Sequence, residues 1–139
     1  MHKQIHGLTD QLGLVNYQLG EVTKLDAEAP KAAPGAPFPL VMSATVVGKS
    51  LGKARELLTE AKTLLEGEIG FFTGIDQCLA EHQTIADETA KTAAIEATNK
   101  EAGAREATTA GIAAYCMQAV AAASVFMLKG MEKARSYRS

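Results

Sequence analysis

Residues 107–128, ATTAGIAAYCMQAVAAASVFML, carry no charged side chain. The run is long enough to span a bilayer, for which about 20 apolar residues suffice. Its composition points elsewhere, because Ala, Gly, Ser and Thr dominate it and Gln118 sits near its middle. A helix so poor in charge is stable in water when other helices enclose it. The segment therefore reads as the centre of a helical assembly, with membrane contact as the competing interpretation.

The rest of the composition agrees with an all-α chain. At 139 residues there is material for a single domain with one core. Aromatic residues make up 5% of the chain, Trp is absent, and the four prolines fall in one short stretch. That profile favours helix over sheet. A formal net charge of −2 excludes the basic footprint that nonspecific nucleic-acid binding requires. The beginning of the sequence, MHKQIHGLTDQ, lacks the apolar core of a secretory signal peptide. A cytoplasmic protein, or one secreted without a cleaved signal, is expected.

Working outward from 107–128, three segments show helical periodicity. Ile5, Leu8, Leu12, Val15, Leu19 and Val22 alternate by three and four positions, giving a coiled-coil seam on a first helix over about 3–27. The Pro-rich stretch 28–39, EAPKAAPGAPFP, forms a stiff connector. A second helix over about 40–66 carries Ala44, Val47, Leu51, Ala54, Leu58, Ala61 and Leu65 on one face, widened by Leu57 and Leu64. The glycines of residues 67–74, GEIGFFTG, predict a turn.

Beyond that turn one phase can be followed from Ile75 to Val125, through Ala90, Ala93, Ala97, Ala104, Gly111, Ala114 and Ala121. Most of its members are small, which lets helices pack at short separation. The expected fold is a long antiparallel helical hairpin, with a third helix over about 75–136, plus an N-terminal helix on a Pro-rich connector. A four-helix bundle broken at 99–103, NKEAG, is the alternative.

No stretch of the sequence carries a catalytic signature. The string GKS at Gly48–Ser50 lacks the glycine five residues earlier that a phosphate-binding loop needs, and its surroundings are helical. His2, His6 and Asp10 share i, i+4, i+8 spacing but lie at a helix end beside Gly7, and read as solvated polar residues. Cys78 and Cys116 each fall in a helical pattern and read as small buried residues. No enzyme activity, cofactor or metal site is expected.

Around Phe72-Thr73-Gly74 the helix, aromatic-x-Gly turn, helix pattern resembles the helical hairpins of the WXG-motif family of type VII secretion substrates. The resemblance covers Leu40 to the helix after Thr73, with Phe72 where the family has tryptophan. It implies a signal-less, helical, non-catalytic protein that pairs with a partner. The family's C-terminal Tyr-x-x-x-Asp/Glu signal has no counterpart, since Tyr115 is followed at the matching place by Ala119.

The functional expectation is assembly through helix seams, with a copy of the chain itself or a helical protein partner. Ala90, Ala97, Ala104, Gly111 and Ala114 are the expected contacts of the long helix, and Ile5, Leu12 and Leu19 those of the first. A secreted helical effector or secretion partner, and a membrane-inserting protein acting through 107–128, are the alternatives.

Overall fold

The computed structural model describes the backbone of residues 2–29, 35 and 38–138, and the side chains of residues 3–29, 35 and 44–135. The described residues form three helices: α1, His2–Glu28; α2, Phe38–His82; and α3, Glu88–Arg138. At 1.5 Å per residue the last two are about 67 and 76 Å long. They form the antiparallel hairpin that the composition and periodicity predict, with α1 beside it. Most of the Pro-rich connector, residues 30–34 and 36–37, lies outside the described residues. Gly35 within it has φ 82°, a left-handed backbone that costs glycine least.

Cross-helix bonds fix the directions. The Tyr115 hydroxyl donates to Glu60 Oε1 at 2.7 Å, and His82 Nε2 lies 2.9 Å from Thr98 Oγ1, so α2 and α3 run in opposite senses. Gln11 donates to the Ala113 carbonyl at 3.4 Å and Gln18 to Ser124 Oγ at 3.1 Å, so α1 runs parallel to α3. Asp26 faces Arg55 of α2 at 3.7 Å. The start of α1 lies level with Glu106 and Thr109. The hairpin is therefore three helices thick at its open end and two helices thick toward its turn.

The hairpin turns at 83–87, not at 67–74. Residues 67–74 are continuous helix inside α2. Three glycines there each cost about 1 kcal/mol of helix propensity, but burial runs straight through them. Leu65 and Phe72 are fully buried, and Glu68 and Ile75 nearly so. The alternation by four and three that starts at Val47 continues without a slip to His82. The real break has short polar side chains that bond the backbone locally. Thr84 Oγ1 donates to the Glu81 carbonyl at 2.7 Å, and Asp87 Oδ2 accepts from the Ala90 amide at 3.1 Å, capping α3.

Nor is there a break at 99–103. α3 passes through it as helix, because Thr98 and Ala102 are buried while Lys100 is exposed and Gly103 faces open space. The buried or half-buried line of α3 runs through Lys91, Ile95, Thr98, Ala102, Arg105, Thr109, Ile112, Cys116, Ala119, Ala123, Phe126 and Gly130. Leucines of α2 fill the space that these mostly small residues leave. Gly130 marks the closest approach: a Cβ there would meet Leu51 Cδ2 at 3.1 Å.

Gly67→Ala and Gly70→Ala distinguish helix from turn at 67–74, since a Cβ at either position meets nothing within 4 Å. Each should raise stability by about 0.5–1 kcal/mol in urea denaturation, through helix propensity alone. A loss of stability in both would restore the turn.

Candidate functional site

α3 carries small apolar residues on two opposite sides, and only one of them is used within the chain. Ala90, Ala97, Ala104, Gly111 and Ala114 are all exposed. They occupy the side of α3 away from the buried line of Thr98, Ala102, Thr109 and Cys116. The reason lies at the turn: Ile75, Leu79 and His82 belong to the inner face of α2. Continuing their phase across the five-residue break delivers the outer face of α3. Ile5, Leu12 and Leu19 have the opposite fate, being partly buried against the chain's own core beside Leu8, Val15 and Val22.

The exposed side is wider than the sequence suggested. Met117 is 64% exposed, Val125 52% and Leu128 53%, all on the outer side of α3. Across a shallow groove lined by Gln11, Val15, Cys116 and Val120, α1 adds Leu14, while Tyr17 stands exposed on the same helix. Leu14 and Tyr17 lie off the α1 seam, and their apolar character at positions where a two-layer helix carries polar residues was the available signal. From Ala107 to Leu128 the exposed positions include no charge, and Glu106, exposed just before them, stands beside the start of α1. Charges resume at both ends, with Lys100 and Glu101 before the run and Lys129 and Glu132 after it, all exposed.

A buried polar cluster stands where three helices give way to two. Glu68 is 2% exposed. Its carboxylate accepts from Arg105 Nε at 3.3 Å and from Thr109 Oγ1 at 2.8 Å, and is paired a second time with the Arg105 guanidinium. Arg105 also stacks over the Phe71 ring, 5.4 Å from its centroid. The Arg105 bonds hold the Glu68 carboxyl below its ordinary value of 4.5 against the opposing effect of burial, with help from Thr109. Sequence reading missed this cluster, although Glu68 falls on the unbroken alternation between Leu65 and Phe72.

The remaining reactive groups are quiet. Burial, with Glu60 nearby, pushes the Cys116 thiol above its usual range, and its sulfur lies 3.6 Å from the Ala61 carbonyl. Cys78 is exposed and free. The hydrogen bond to Glu60 raises the Tyr115 phenol. His6 lies 3.8 Å from Asp10, both on the surface. Among the described residues no three His, Cys, Asp or Glu side chains are grouped to hold a metal ion.

Comparison with protein-family models, with curated proteins and with solved structures finds no match to the chain.

The Glu68 cluster makes stability depend on pH in a defined direction. A carboxyl held below 4.5 in the folded state contributes stability that is complete above 4.5 and is lost as pH falls through the lowered value. Glu68→Gln should cost about 1–2 kcal/mol at neutral pH and much less near pH 3, when measured by urea denaturation. A gap of the same size at both pH values would show that the charge on Glu68 contributes nothing.

Proposed function

We propose that the protein is a non-enzymatic helical assembly protein whose working surface is the outer face of α3. One observation carries this reading: from Ala107 to Leu128 a helix face turned to solvent lacks every charged residue. A solvated face of a long helix is ordinarily where charges accumulate. Here they are found on the rest of the surface instead, with 22% of the chain charged. Small residues supply the geometry, since Ala and Gly let a second helix backbone come close, and closeness increases van der Waals contact along the pair. The partner surface is helical, from a copy of the chain or from another protein.

A lipid surface is the second reading, favoured by a specific feature of α3. The helix contains a segment long and apolar enough to cross a membrane, and 17% of it is buried within the chain, unlike the core helix of a soluble protein. Assembly is preferred because Ala, Gly, Ser and Thr contribute little transfer free energy to hydrocarbon, whereas they suit close helix packing.

Gly111→Leu separates the assembly surface from the fold. A side chain at position 111 meets nothing within 4 Å inside the chain. The variant should therefore fold with unchanged or slightly higher stability while losing its assembled mass in light scattering coupled to size-exclusion chromatography. Unchanged assembled mass would overturn the reading. Dye release from anionic vesicles by the parent chain, abolished by Ala121→Glu, would instead establish the lipid reading.

A further inference from the structure

Resting on the proposed assembly surface, we infer that its occupant is a second copy of this chain, with the two α3 helices antiparallel about a two-fold axis at the level of Cys116. The outer face consists of two interleaved rows, Ala104, Gly111, Gln118 and Val125 in one and Ala107, Ala114, Ala121 and Leu128 in the other. Within each row the spacing is seven, and between rows it is alternately three and four. Such a pair of rows is a coiled-coil seam in its own right. In an antiparallel pair each residue of one row meets one of the other row across the axis, so partners have a constant sum of residue numbers.

Charge selects the register. With a sum of 232, Ala104 meets Leu128, Ala107 meets Val125, Gly111 meets Ala121 and Ala114 meets Gln118. The whole uncharged run is then covered by itself, and the largest side chains lie opposite the smallest. The next layer outward brings Lys100 opposite Glu132. On the flanks of the seam partners sum to about 230 on one side and about 234 on the other, so Glu101 comes opposite Lys129, and Tyr115 and Met117 each approach their own copy near the axis. The two-fold repeats both charge pairs, so four opposite-charge contacts close the two ends. All four of those residues are exposed within one chain.

Sliding by one heptad, to a sum of 239, loses this. Glu132 would then face Ala107, Lys129 would face Thr108, and the match of the uncharged run to itself would shorten. Parallel pairing sets Lys100 on Lys100 and Glu132 on Glu132, which is repulsive. A closed two-fold contact of this kind is self-limiting, giving a dimer and not a fibre. The exposed Leu14, Tyr17 and Met117 widen the face beyond one helix. Two helix widths of about 10 Å over a run of about 35 Å approach the roughly 800 Å² per partner of a stable interface.

Cysteine pairing tests both the contact and its direction. In a Cys78→Ser background, chains carrying Gly111→Cys are mixed with chains carrying Ala121→Cys and oxidised. Positions 111 and 121 are about 15 Å apart along one helix, too far to bridge within a chain. The mixture should yield a disulfide-linked dimer joining the two kinds of chain, and neither variant alone should do so. Crosslinking of Gly111→Cys with itself would overturn the antiparallel register while leaving assembly on this face intact. An assembled parent chain whose variants do not crosslink would place the contact on another face. A monomeric parent chain would overturn this inference and leave the proposed surface to a different helical protein. As an independent check, Lys100→Glu should weaken dimerisation about tenfold and Lys100→Glu with Glu132→Lys should restore it. Failure of the double change to restore it would overturn the register.

Discussion

The division of size between the two long helices is the constraint on which the structure depends. α2 supplies bulk to the core through Leu51, Leu58, Leu65, Phe72 and Ile75, while α3 answers with Ala102, Cys116, Ala119 and Ala123. Large side chains from one helix fill the space left by small ones from the other, so the axes lie close without a void. Gly130 shows how little room remains, since a Cβ there would stand 3.1 Å from Leu51 Cδ2. Because α3 contributes so little area of its own, the hairpin alone buries modest apolar surface per residue, at about 25 cal/mol per Å². Docking of α1 through Leu8, Val15 and Val22 makes up part of this over the open half.

Where α1 begins, the packing changes character. Glu68, Arg105 and Thr109 stand at that boundary, and a buried carboxylate is tolerated there because three donor contacts meet it. Such a cluster contributes little net stability compared with an apolar replacement. Its effect is on register, since sliding α3 by one turn along α2 would move Arg105 and Thr109 away and leave Glu68 buried without donors. A seam of near-identical alanines has few features to prevent such sliding. The polar cluster at its centre and the His82–Thr98 pair near the turn supply them.

Much of this architecture was legible in the sequence, and the errors have one origin. The seams of α1 and of α2 up to Leu65 were readable because their apolar residues are large and their neighbours charged. At 67–74 three glycines pointed to a turn, but helix propensity is a weak local preference that burial of Phe72 and Ile75 overrides. The true turn at 83–87 carries neither Gly nor Pro, and its signal was the capping aspartate Asp87. Moving the turn shifts the phase of everything after it. On α3 that shift passed unnoticed, since small residues line the inner and outer faces alike and the pattern has almost no contrast to correct an error of phase. Ala90, Ala97, Ala104, Gly111 and Ala114 thus lie on the solvent side of α3 and not against α2.

That same lack of contrast gives the outer face its chemical character. A leucine seam of equal length turned to water would drive indiscriminate aggregation, because each exposed leucine brings a large apolar area. A face mostly of Ala, Gly, Ser and Gln, with Met117, Val125 and Leu128 as its larger members, brings less apolar area than such a leucine seam. What such a face offers instead is proximity: gain comes when a matching backbone approaches along the whole length, and it falls away quickly when the match is poor. Recognition by small residues is thereby demanding about register while weak per residue. The charges at Lys100, Glu101, Lys129 and Glu132 then matter beyond their modest strength, because a nearly featureless seam leaves its ends to decide which alignment two helices adopt.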